Sequence, residues 1–194
     1  MLFRSVPLSL EKVATAVSTK GMFRAPENAG ERLAFSDWGP KQFEGVPFTL
    51  VDPQGDRVAN VVMLHGTEGY LPPRMPKSVS LSLGSPVKAL HILGGIAGWG
   101  FPASPAGEKS LVVRLVYADG KTEDHPLING EHVADYVRRI DVPKSTFAFD
   151  LAGRQLRYLR IDAGRTEPVA AVELLKGTGI SVPIVRSEEH TSEL

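Results

Sequence analysis

From Ser78 to Leu83 the chain reads SVSLSL, a small hydroxyl alternating with an aliphatic side chain at every step. Successive side chains of a strand point to opposite faces, so this run has one wet face and one that must be buried. Seven more short apolar or alternating runs follow the same pattern: FTLV (48–51), NVVMLH (60–65), KALHIL (88–93), LVVRLVY (111–117), TFAFDL (146–151), QLRYLRI (155–161) and VAAVELL (169–175). Turn-forming stretches such as DPQGD, LGSP, ADGK, LAGR and KGTG separate them, and Leu151-Ala152-Gly153-Arg154 has the form of a hairpin connection. Many short strands at regular spacing predict an all-β protein, a jelly-roll β-sandwich with few short helices.

Helical signals are confined to EKVATAV, where Val13 and Val17 fall one turn apart, and to HVADYVRRI, where Val133 and Val137 do the same. Both are too short to alternate with strands in an α/β fold. Periodicity is weakest from Ser18 to Pro40, which is expected to be an arm or long loop, and residues 1–40 are expected to form an N-terminal arm or first strands. Residues 1–185 are expected to form a single domain.

The 22 basic residues balance the 22 acidic ones, so no net field attracts nucleic acid or an anionic membrane, and neither is expected as a partner. The absence of cysteine excludes disulfides, thiolate nucleophiles and cysteine-ligated metals within the chain. The opening stretch MLFRSVPLSLEKVATAV is interrupted by Arg4, Pro7 and Glu11 and does not have the form of a signal peptide. No apolar run is long enough to cross a bilayer as a helix, so membrane insertion is not expected. The final nine residues, RSEEHTSEL (186–194), are polar and aperiodic and resemble the translated frame of a common sequencing-adapter oligonucleotide. They are set apart as a non-native tail, without which 21 basic and 19 acidic residues remain.

Five phrases occur together: FEGVPFTLVDPQG (43–55), NVVMLHG (60–66), KALHILGGIAGWGFP (88–102), VRLVYADGKTEDHPLINGEHVADY (113–136) and RQLRYLRI (154–161). From Leu33 to Val185 the chain resembles a β-sandwich module of large multidomain bacterial proteins, itself similar to the galactose-binding-like jelly rolls used as carbohydrate-binding modules. That resemblance implies a non-catalytic accessory domain that binds a glycan or a neighbouring domain of its parent, without a cofactor. An extracytoplasmic location follows if the parent is exported.

The stretch from Tyr117 to Tyr136 concentrates the polar candidates. Asp119-Gly120 predicts a tight primed turn. Glu123, Asp124 and His125 then occupy consecutive extended positions and point to alternate faces, so all three cannot converge on one ion. His125, His132 and Asp135 meet only if the HPLING loop folds back, and a solvated structural role is favoured over metal. No GxSxG elbow or phosphate-binding loop is present, so catalysis is not expected and a metal-dependent hydrolase stands as a distant third reading. Trp99, within GGIAGWG, has the flat apolar face on which a sugar ring stacks, or else plugs one end of the sandwich. The expected binding patch comprises Trp99, Asp124, His125, His132, Asp135 and Tyr136. The second reading is a structural module that docks on another domain through the same aromatics.

Overall fold

The computed structural model describes the backbone of residues 3–98, 101–102 and 104–193 and the side chains of residues 8–98, 101–102 and 104–186. Its strands are β1 (Phe3–Leu8), β2 (Lys41–Phe43), β3 (Val46–Phe48), β4 (Val62–Met63), β5 (Ser78–Ser85), β6 (Ala89–Ala97), β7 (Lys109–Tyr117), β8 (Thr122–Ile128), β9 (Thr146–Leu151), β10 (Arg154–Asp162), β11 (Val169–Lys176) and β12 (Val182–Glu193). One sheet has the order β1-β12-β6-β10-β9, with β4 also on β12, and the second has the order β5-β11-β7-β8. All the pairings between named strands are antiparallel. The protein is an all-β sandwich.

Alternation explains how the sheets meet. Leu90, Ile92 and Ile96 of β6, with Leu159 and Ile161 of β10, face Val113 and Leu115 of β7, Val172 and Leu174 of β11 and Leu81 of β5 in one buried cluster. Each such aliphatic side chain contributes roughly 1.5–3 kcal/mol when fully buried. β6 is also buried on its other face. There Leu93 packs with Val46, Phe48 and Tyr158, and Ala97 with Met22, Leu33, Met63 and Leu156. Residues from Ala16 to Phe48 therefore form a third layer over the larger sheet. Buried Asn60 anchors it: its Oδ1 accepts from Ser18 N at 2.8 Å and its Nδ2 donates to Val51 O at 3.1 Å. The weakly periodic segment 18–40 is a long loop packed as a cover, with one 3₁₀ turn at Ala29–Glu31.

The hairpin at 151–154 forms as expected: Leu151 pairs with Arg154, and Ala152 and Gly153 have φ of 56° and 83°, the primed geometry that suits strand twist. The β7–β8 turn differs from expectation. Tyr117 N donates to Lys121 O and Gly120 N to Tyr117 O, and within the loop only Gly120 has positive φ. This is a three-residue loop, an ordinary turn followed by one left-handed glycine, and not a primed turn. Neither expected helix forms: Leu10 O accepts from both Val13 N and Ala14 N in a single turn, and residues 131–140 are turns and bends. β12 continues through the segment set apart in sequence, pairing with both β6 and β1.

Gly94 and Gly95, the GG of HILGGIAG, lie inside β6. A Cβ on Gly94 would sit 2.6 Å from Ile184 O of β12, so the backbones approach too closely for any side chain. Gly94→Ala is expected to lower the unfolding free energy by about 1–3 kcal/mol, measured by urea denaturation, because the clash is with backbone that cannot rotate away.

Candidate functional site

The β8–β9 connection, residues 129–145, has only isolated bridges at Val133 and Asp135, and a buried side chain holds its second half. Arg157 of β10 is 1% exposed. Its guanidinium donates to Ser145 Oγ at 2.6 Å, Ile140 O at 2.9 Å, Gln155 Oε1 at 3.2 Å, Asp141 Oδ1 at 3.3 Å, Val142 O at 3.4 Å, and also to Ser145 O. Gln155 Nε2 adds a bond to Asp135 O at 2.8 Å. Residues 135 and 136 are thereby fixed at the end of β6, where Tyr136 N donates to Ile96 O at 2.9 Å.

A second clamp comes from the covering layer. Tyr136 Oη donates to Glu31 O at 2.7 Å. The Glu31 carboxylate, itself buried, accepts from Phe23 N and Arg24 N at 2.9 Å each and from Asn28 Nδ2 at 2.7 Å. Burial, with the Glu31 and Asp135 charges adding to it, pushes the Tyr136 phenol far up, so this hydroxyl stays protonated and donating.

Between the clamped segments lies a cavity of about 420 Å³. Phe23, Ala97, Gly98, Pro102 and Val137 provide apolar surface, and Arg24, Asn28, Asp135 and Arg138 provide polar groups. Asp135 Oδ1 accepts from Val137 N at 2.9 Å. Arg24 and Arg138 are exposed. Among the described residues neither guanidinium has an ion pair, and neither donates a hydrogen bond.

The expected binding residues do not form one patch. Asp135 and Tyr136 line this cavity, whereas Asp124, His125 and His132 line a different depression of about 450 Å³ beside β8 and β10. Trp99 lies outside the described residues. Tyr136 is 1% exposed with its hydroxyl committed to Glu31, so it forms the wall of the cavity and offers no free phenol.

Charges in the second depression are mutually satisfied. Arg114 grips Asp124 through two bonds of 2.6 and 2.9 Å, which holds that carboxyl below the usual range. Lys144 pairs with Glu131 at 2.8 Å and Arg160 with Asp162 at 2.7 Å. His125 Nε2 approaches Glu123 Oε1 to 2.9 Å without hydrogen-bond alignment. Glu123 also accepts from Tyr117 Oη, and from Gly164 N at 3.0 Å. His132 Nδ1 accepts from Ile128 N at 3.2 Å, and desolvation lowers its pKa. Among the described residues no three His, Asp or Glu gather at metal-binding spacing. The alternation foreseen for 123–125 holds: Asp124 faces Arg114 on one side, Glu123 and His125 face the other.

Phe23, Arg24 and Asn28 gave no local sign of a site, because they come from the least periodic part of the sequence and reach the cavity only through long-range contacts. Arg138 is exposed and lines the same cavity. No family model, no curated protein and no solved structure matches the chain.

Proposed function

We propose that the chain is a non-catalytic carbohydrate-binding module whose site is the cavity between residues 23–31 and 135–138. One observation carries this reading: a concave site that sets apolar surface from Phe23, Pro102 and Val137 against donors and acceptors from Arg24, Asn28, Asp135 and Arg138. A sugar ring has the same division, with apolar C–H faces and a rim of hydroxyls that each donate and accept. The all-β sandwich, with the sequence resemblance to galactose-binding-like jelly rolls of multidomain bacterial proteins, supports the same assignment. Function here is recognition by packing and hydrogen bonding, with the parent protein supplying any chemistry.

The test is a glycan array probed with the whole chain beside Val137→Glu. Val137 is 47% exposed, so the variant should keep its thermal midpoint while losing at least tenfold in affinity through a charge placed on the apolar surface. Absence of binding to every saccharide would reject the reading and leave docking against a neighbouring domain as the use of this surface.

A further inference from the structure

We infer that the saccharide taken by this cavity is acidic, with a carboxylate held between Arg24 and Arg138; this rests on the carbohydrate-binding reading above. Formal charge alone does not decide it, since two guanidiniums and two carboxylates, Glu31 and Asp135, line the same cavity. What decides it is which of them still has bonding capacity.

Glu31 is spent. It is 7% exposed, and three protein donors already occupy its two oxygens. Asp135 is also engaged, through Oδ1 with Val137 N. Arg24 and Arg138 are exposed, and their guanidiniums have no ion-pair or hydrogen-bonding partner among the described residues. Each offers five N–H groups in a planar fork that matches a carboxylate. The capacity left over in the cavity is therefore donor-rich and cationic, and it favours a ligand that brings acceptors and negative charge. The other depression makes the contrast: there Arg160 and Lys144 already hold Asp162 and Glu131, and Arg114 holds Asp124. The two arginines sit beside apolar Phe23, Pro102 and Val137, so charge pairing and ring packing act on one bound residue of the glycan.

The experiment is titration calorimetry of the full 194-residue chain with oligogalacturonate, oligoglucuronate, their fully methyl-esterified forms and a panel of neutral oligosaccharides. The expected result is binding of at least one uronate series. Affinity should fall at least tenfold on methyl esterification and weaken as salt rises from 0.05 to 0.5 M. Arg24→Gln and Arg138→Gln should each lose about tenfold, equivalent to roughly 1.4 kcal/mol, with unchanged thermal midpoints because both side chains are exposed. Equal binding of ester and acid, or of neutral sugars alone, would overturn the acidic specificity while leaving carbohydrate binding intact. Uronate binding that survives the double variant would place the carboxylate elsewhere and overturn it too. No binding to any saccharide would sink both readings together.

Discussion

Arg157→Met is expected to lower the unfolding free energy by about 3–5 kcal/mol, the cost typical of breaking a buried charged network on one side. The cost comes from what the guanidinium leaves behind. Ile140 O, Val142 O, Ser145 O and Gln155 Oε1 all lose a donor at once, and methionine fills the space without bonding to any of them. Urea denaturation measures the loss. Because this side chain gathers the carbonyls of residues 140–145, the amides of that stretch should exchange faster than those of β6 and β11 even where the variant stays folded. A loss under 1 kcal/mol would mean that the connection holds itself. Arg157→Lys should recover little, since one ammonium cannot span acceptors spread over residues 140–145 and 155.

The opposite sign is expected at the other fully buried arginine. Arg186 is 1% exposed, and burial holds its pKa down to about 10. Its guanidinium lies 5.1 Å from the Trp38 ring and 5.8 Å from Phe35. Nη1 donates to Asn60 O, but among the described residues Nε and Nη2 have no hydrogen-bond partner. The flanking rings return about 2 kcal/mol or more, set against the several kcal/mol that a desolvated ion costs. Arg186→Met should therefore raise the unfolding free energy by about 1–3 kcal/mol, read from the urea midpoint. A fall would show that the ring contacts outweigh the desolvation. Arg186 is also the first residue of the segment set apart in sequence; the energetic misfit stands independently of that reading.

The two arginines show where sequence is legible and where it is not. Alternation located β5, β7, β9, β10 and β11 closely because period two is a local property. β9 spans the same residues, Thr146–Leu151, as the TFAFDL run. The β8 strand was hidden by its own polarity: as an edge strand it carries Glu123, Asp124, His125 and Pro126, residues that blunt an open edge. β12 was missed because its charged half had been set aside. Neither buried arginine has a local sequence sign of burial, since the bonds that hold Arg157 and the rings that flank Arg186 come from distant parts of the chain. The site was half visible. Asp135 and Tyr136 stood out within a polar cluster, but Phe23, Arg24 and Asn28 join them only through the folding of the covering layer onto the end of β6.

That covering layer also bears on how the chain reaches its fold. β6 is apolar on both faces and pairs along both edges, yet neither partner is near in sequence: β10 begins at Arg154 and β12 at Val182. The hairpins β7–β8 and β9–β10 can close early on local contacts, while β6 waits for strands synthesised last. Until then ALHILGGIA presents an uncharged, two-sided, unpaired strand, the kind of segment that templates intermolecular pairing. Refolding yield should therefore fall with protein concentration more steeply than native stability alone would suggest, and the central strand of the finished sandwich is the chain's main aggregation hazard while it folds.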